Sequence, residues 1–169
     1  MFDEEIQTIA KQLVKQFAEA KRTIATAESC TGGLIGGAIT SVSGSSAVYE
    51  TGFVTYSNEA KIALIDVDPH TLDTIGAVSA ETASQMAIGT LEATGANAAV
   101  AVTGIAGPTG GTEVKPVGLV FVAIASDFEE GAFVERFEFG SIGREKIRRE
   151  TVREALEMLI AYGLDRFTD

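Results

Sequence analysis

The stretch Thr26-Ala-Glu-Ser-Cys-Thr-Gly-Gly-Leu-Ile-Gly-Gly37 decides the fold, because it turns a short strand directly into a helix. The apolar and β-branched residues at 23–27 are typical of a buried strand. From Leu34 onward, apolar residues recur at helical spacing, and Thr31 is predicted to cap that helix. A strand followed at once by a helix predicts an open α/β sheet.

The turn between this strand and helix is the predicted site of chemistry. It leaves Glu28, Ser29 and Cys30 at the carboxyl end of the strand, where open α/β sheets form their ligand crevices. Gly32 and Gly33 follow, and free backbone N–H groups at the helix start would favour an anion or a developing oxyanion. An ordinary glycine-containing turn with no ligand is the alternative, and the pattern alone does not decide between them.

The remaining elements follow from periodicity and turn signals. Helices are predicted over about 4–20, 58–65, 79–94 and 143–161, and strands over 48–56, 98–102, 117–125 and 133–139. Asn58 and Ser79 are the predicted caps of the helices over 58–65 and 79–94, Gly95 ends the helix over 79–94, and the last two strands form an antiparallel hairpin. Residues 66–76 are predicted to be a turn-rich connection that holds His70. The order predicts an α/β fold, a single three-layer α/β/α domain with a mixed sheet covering residues 1–169.

Composition limits the classes of function. The chain has 169 residues, 46% of them hydrophobic, and a formal charge of −11, which argues against binding to nucleic acid or an anionic membrane. A single cysteine and a single histidine exclude an internal disulfide and leave little for a zinc site. We expect no metal and no cofactor. The chain starts without a signal-peptide pattern, so we expect a cytoplasmic protein.

A nucleophilic Ser29 needs a base, and His70 lies in an unpromising connection. Tyr56 and Lys61 follow a predicted strand and are predicted to point toward the same end of the sheet as Ser29. A lysine works as a base only if burial lowers its pKa well below the usual value of about 10.4. On the residues alone, a solvated helix lysine is the commoner situation.

Two further features are candidates for substrate binding. A second glycine-rich turn follows an apolar strand and contains Thr103, Gly104 and Gly107, but neither glycine turn matches a Walker P-loop or the dinucleotide fingerprint. Arg144 and Arg148 lie four residues apart, so they share one helix face. Arginine is well suited to binding phosphate, although surface arginines are more frequent.

Five motifs in this order resemble the CinA C-terminal domain family. They are Ala27-Glu-Ser-Cys-Thr-Gly-Gly33, Tyr56-Ser-Asn-Glu-Ala-Lys61, Gly76-Ala-Val-Ser79 with Glu81, Thr103-Gly-Ile-Ala-Gly-Pro108 and Lys115-Pro-Val-Gly118. The resemblance runs from about Thr23 to the last helix. That family includes bacterial nicotinamide mononucleotide deamidases. The resemblance therefore implies hydrolysis of the nicotinamide amide to nicotinic acid mononucleotide and ammonia in NAD salvage.

Together, the residues and the resemblance predict a metal-independent amidase. Ser29 is the predicted nucleophile, Lys61 the base, and Tyr56 a group that orients them or relays between them. The predicted substrate-binding residues are Glu28, Cys30, Thr31, Gly32, Gly33, Thr103, Gly104, Gly107 and Arg144. The expected partner is the nucleotide substrate, and a homo-oligomer is expected, with a dimer favoured. A non-catalytic nucleotide-binding module and a serine hydrolase for another substrate class remain the alternatives.

Overall fold

The computed structural model describes residues 2–165 and has a five-stranded sheet at its centre, in the order β2-β1-β3-β4-β5. The strands are β1 (Ile24–Glu28), β2 (Tyr49–Val54), β3 (Ala98–Gly104), β4 (Leu119–Ser126) and β5 (Ala132–Glu138). β1 runs parallel to β2 and to β3, whereas β4 runs antiparallel to both β3 and β5. The mixed sheet and the antiparallel hairpin are confirmed.

Within residues 2–165, six α-helices cover the two faces of the sheet. They are α1 (Glu4–Glu19), α2 (Leu34–Thr40), α3 (Asn58–Ile65), α4 (Pro69–Thr74), α5 (Ala80–Thr94) and α6 (Arg144–Tyr162). One apolar core joins the sheet to α1, α2 and α6, and includes Phe17, Ile35 and Leu156. The core on the opposite face includes Ile65 of α3 and Met86 of α5. Alternate residues of β4 feed the two cores, so the three-layer α/β/α architecture is confirmed.

Local sequence signals mark the start of α1 and both ends of α5. The side chain of Asp3 accepts from the Ile6 N–H at the start of α1. Ser79 caps α5 by accepting from the Thr82 N–H, and the helix ends at Gly95, which has a φ of +69°. Each of these boundaries depends on residues within one turn of the helix end, and a sequence reveals such signals directly.

The segment 66–76 was predicted wrongly, because it contains the helix α4. Asp68 accepts from the His70 N–H and Pro69 occupies the first turn, which is a favourable helix start. His70 is therefore an exposed helix residue. The cap of α3 was also wrong: Ser57, not Asn58, accepts from the Ala60 N–H, at 3.0 Å.

The carboxyl ends of β1, β2 and β3 meet at one edge of the sheet. After β1 the chain enters α2, which packs on one face. It later reaches β3 through α5, which packs on the other. The end of β1 is therefore the topological switch point, where sheets of this kind bind ligands. Within residues 2–165, none of the helices combines the length and hydropathy that crossing a bilayer requires.

Candidate active site

Ser29 is the first residue after β1, and the backbone holds it in a tight turn. Its N–H donates to the carbonyl of Val102 in β3, at 3.1 Å. Its own carbonyl accepts from the Gly32 N–H, also at 3.1 Å. Gly32 has a φ of +60°, a backbone region that glycine adopts without steric cost. The half-buried Ser29 therefore lies at the switch point, as the sequence predicts.

Lys61 reaches Ser29 from α3. Its Nζ donates to Ser29 Oγ at 3.1 Å, to the Thr55 carbonyl at 2.7 Å and to the Tyr56 carbonyl at 3.5 Å. The residue is only 1% exposed, so a solvated helix lysine is the wrong interpretation. Burial lowers the pKa of Lys61, and the nearby Cys30 opposes this to a smaller extent.

The three contacts suit either protonation state of the amine, because a protonated lysine has three N–H hydrogens for these three acceptors. A neutral lysine has two N–H hydrogens and one lone pair. The carbonyls of Thr55 and Tyr56 can accept the two hydrogens, which leaves the lone pair for the hydroxyl of Ser29. The arrangement has the geometry of a nucleophile beside its base.

The Glu28 carboxylate accepts hydrogen bonds from the backbone amides at the start of α2, which were predicted to be free for an anion. Its carboxylate accepts from the N–H groups of Gly33, Ile35 and Gly36 at 3.0, 3.0 and 2.8 Å, and from the Thr31 hydroxyl at 2.6 Å. Two predictions are corrected here. Gly33, not Thr31, is the cap residue of α2, and the start of α2 cannot offer these amides to a ligand. The buried carboxylate satisfies them because β1 delivers it directly beneath the helix.

Two of the predicted substrate-binding residues, Thr103 and Cys30, also carry nucleophilic side chains, but both are buried. The Thr103 hydroxyl donates to the Ala77 carbonyl at 2.7 Å and is buried. Cys30 is also buried, and this raises the pKa of its thiol to about 12. A thiol with such a pKa is protonated at neutral pH and is a poor nucleophile. Gly104 lies opposite Val120 in the sheet, where a Cβ would meet the Val120 side chain at 2.6 Å.

Arg144, at the start of α6, crosses the end of the sheet. Its Nη1 donates to the Gly107 carbonyl at 3.0 Å and its Nη2 to the Tyr56 hydroxyl at 3.1 Å. The Tyr56 hydroxyl therefore pairs with Arg144, whereas the hydrogen bond from Lys61 goes to the Tyr56 backbone carbonyl. The relay between Ser29 and Lys61 predicted for Tyr56 does not fit this geometry. Arg144 instead links the exposed Tyr56 ring, which follows β2, to Gly107, which follows β3.

Arg148 also contacts the turn, from one helical turn further along α6. Its Nη2 donates to the Thr31 carbonyl at 2.8 Å. The sequence placed Arg148 on the same helix face as Arg144 but gave no reason to assign it a contact, because the partner is a backbone carbonyl far away in the chain. The four-residue spacing was the one available signal.

Known proteins show where this chain belongs. Residues 6–162 match the family model of the CinA C-terminal domain. The chain belongs to the CinA C-terminal domain family. Among solved structures, the competence/damage inducible protein CihA from Agrobacterium tumefaciens superposes with a TM-score of 0.93 at 51% identity, covering 95% of this chain and 97% of that one. The recognised motifs therefore belong to a CinA C-terminal domain.

Curated relatives fall into two lengths. The nicotinamide-nucleotide amidohydrolase PncC of Escherichia coli strain K12 is 46% identical over 159 residues, which cover 94% of this chain and 95% of that protein. A CinA-like protein of Geobacter sp. strain M21 is also 46% identical, over 99% of this chain. The matched part makes up only 40% of the length of that Geobacter protein.

Proposed function

We propose that this chain is a nicotinamide-nucleotide amidase that hydrolyses the carboxamide of nicotinamide mononucleotide to nicotinic acid mononucleotide and ammonia, a step of NAD salvage. The observation that carries the proposal is the 3.1 Å contact between Lys61 Nζ and Ser29 Oγ. The name and similar length of the Escherichia coli relative support the choice of substrate.

In the proposed reaction, Ser29 Oγ attacks the carboxamide carbon while Lys61 takes the serine proton. The C–N bond then breaks, and Lys61 passes that proton to the leaving nitrogen, which departs as ammonia. An ester between Ser29 and the nicotinoyl group remains. Water attacks this ester with Lys61 again accepting a proton, which releases the acid and restores the Ser29 hydroxyl.

The developing oxyanion is assigned to the backbone N–H groups of Cys30 and Thr31. The next amides along the chain are already used, because Gly32 donates to the Ser29 carbonyl and Gly33 to Glu28. Donors that are fixed before the reaction stabilise such charge most effectively. The amides near Thr103 are the alternative, although Gly104 is paired within the sheet.

Ammonia release tests the proposal. The purified protein is incubated with nicotinamide mononucleotide, and ammonia and nicotinic acid mononucleotide are quantified together. We expect the two products in equal amounts. Binding without ammonia release would identify a non-catalytic nucleotide-binding module. Release that is equally fast from amides or esters lacking the nucleotide would identify a serine hydrolase of another class.

Arg144 is proposed to hold the phosphate of the substrate, because a chain with a net charge of −11 needs a local cation to bind an anion. Arg144→Ala is expected to weaken binding of nicotinamide mononucleotide by about 10-fold or more, since charge-assisted hydrogen bonds contribute roughly 1.5–3 kcal/mol. Binding of nicotinamide riboside should change much less. Calorimetric titration measures both. The exposed Lys146 on the same helix provides the control, Lys146→Ala, and equal losses for both ligands would contradict the assignment.

Activity is expected to survive extended treatment with EDTA, because Ser29 and Lys61 provide a nucleophile and a base without a metal. Among residues 2–165, no three His, Cys, Asp or Glu side chains are grouped as metal ligands. The measurement is the rate of ammonia release before and after chelation. A loss that magnesium or manganese restores would contradict the proposed mechanism.

A further inference from the structure

Arg148 stands apart from most arginines of the chain by its partners. Four of the six arginines within residues 2–165 form ion pairs with carboxylates. These four are Arg22, Arg136, Arg149 and Arg153. The hydrogen bonds of Arg144 and Arg148, by contrast, go to backbone carbonyls and a tyrosine hydroxyl at the end of the sheet. Arg148 is the one of these two whose hydrogen bond within residues 2–165 goes to the turn after Ser29, at Thr31.

The guanidinium of Arg148 is held in a specific place. Its Nη2 donates to the Thr31 carbonyl at 2.8 Å, and its Nε is buried without a hydrogen-bond partner in the described residues. The side chain lines a cleft of about 220 Å³ together with Leu34 and Val152. Arg148 is half-buried, and a charged donor forms a stronger hydrogen bond to a carbonyl than a neutral donor would. This bond therefore restrains the Thr31–Gly32 peptide.

The Ser29 turn needs such a restraint. Gly32 and Gly33 both have positive φ angles, +60° and +97°, and glycine is the residue with the most backbone freedom. The Glu28 carboxylate accepts from the Thr31 hydroxyl at 2.6 Å. Arg148 donates to the carbonyl of the same residue at 2.8 Å, whereas the Leu34 N–H reaches that carbonyl only at 3.4 Å. Thr31 is thus fixed at two atoms, two residues after the proposed nucleophile.

We propose that Arg148 is a positioning residue for the nucleophile: its bond to the Thr31 carbonyl keeps the turn in the conformation that aligns Ser29 Oγ with Lys61 and directs the Cys30 and Thr31 amides at the oxyanion. This inference rests on the proposed amidase function. Arg148 does not contact the substrate in this account. Its contribution falls on the chemical step and not on substrate binding.

The test compares Arg148→Ala with Arg149→Ala, its neighbour on α6, which is exposed and pairs with Asp3 at 3.6 Å. Steady-state kinetics of ammonia release from nicotinamide mononucleotide give kcat and KM for both. We expect Arg148→Ala to lower kcat by about 100-fold, since a misplacement of about 1 Å costs that much, with KM changed less than about 3-fold. Arg149→Ala should retain wild-type kcat.

Chemical rescue separates positioning from loss of structure. Free guanidinium at millimolar concentration is expected to enter the vacated cleft of Arg148→Ala and restore kcat at least about 5-fold, whereas sodium chloride at equal ionic strength should not. Arg148→Lys keeps a charged donor and serves if the alanine variant does not fold. We expect Arg148→Lys to lower kcat by less than 100-fold and to leave KM unchanged.

Two results would overturn the proposal. A rise in KM with kcat unchanged would mean that Arg148 binds the substrate, for example through its phosphate. A kcat equal to that of Arg149→Ala would mean that the bond to Thr31 does not affect the reaction. Failure of the amidase proposal itself is recognised separately, because the wild-type protein would then release no ammonia.

Discussion

Ser29→Ala is expected to lower kcat for nicotinamide mononucleotide on the order of 10³-fold or more, the usual cost of removing a nucleophile that works as a unit with its base. The variant lacks the oxygen that lies 3.1 Å from Lys61 Nζ. The fold should persist, because Lys61 keeps its bond of 2.7 Å to the Thr55 carbonyl and the backbone bond from residue 29 to Val102 is retained. Ammonia release and the thermal unfolding midpoint together measure the effect.

The matched control is Ser43→Ala, which removes an exposed hydroxyl in a loop and should leave kcat unchanged. Neither neighbouring candidate is expected to replace the serine, because Cys30 has a pKa raised to about 12 and Thr103 donates to Ala77. A Ser29→Ala protein with a kcat within about 10-fold of wild type would place the nucleophile elsewhere, because enzymes that lose their nucleophile keep a far lower rate.

Lys61→Arg is expected to lower kcat by about 10²- to 10⁴-fold, the usual contribution of a general base. Arginine keeps the positive charge but cannot give up its proton. In the wild type, burial lowers the pKa of Lys61, so the active neutral amine appears at a lower pH than for a free lysine. The value of kcat/KM should therefore rise with pH through the pKa of Lys61 and then level off.

Lys61→Met controls for the size and burial of the arginine. Methionine has a similar length, carries no charge and suits an apolar site, so the protein should fold while remaining as inactive as Lys61→Arg. The rise of kcat/KM with pH should disappear from the residual activity of both variants. An active Lys61→Arg enzyme would show that position 61 contributes only charge, and the base would have to be another group.

The sequence predicted those features of the site that depend on neighbouring residues. The strand, the glycine turn and the helix after Ser29 follow from periodicity that one segment contains. Because β1 and β2 are parallel, their carboxyl ends lie at one edge. That arrangement brings Lys61, after β2, toward Ser29, after β1. The fold class follows from the same alternation of helices and strands.

Side-chain directions and burial could not be read in this way. Glu28 was expected near the substrate, but its carboxylate caps α2, because only the packed helix determines which amides lie within reach. The direction of the Tyr56 side chain is set by Arg144, which lies 88 residues away in sequence. Burial of Lys61 likewise results from packing, and residue statistics favour an exposed lysine. The helix α4 was missed because proline and aspartate were interpreted as turn residues, although both also favour a helix start.

Trapping with hydroxylamine tests the central claim, that Ser29 forms an ester with the nicotinoyl group. The purified protein converts nicotinamide mononucleotide in increasing concentrations of hydroxylamine, and the acid, the hydroxamate and ammonia are quantified. A Ser29 ester predicts that hydroxamate replaces acid in proportion to hydroxylamine, with total ammonia matching their sum, and that Ser29→Ala forms neither product. If ammonia and acid are released at full rate with no hydroxamate at any concentration, water attacks the amide directly and the account of Ser29 is wrong.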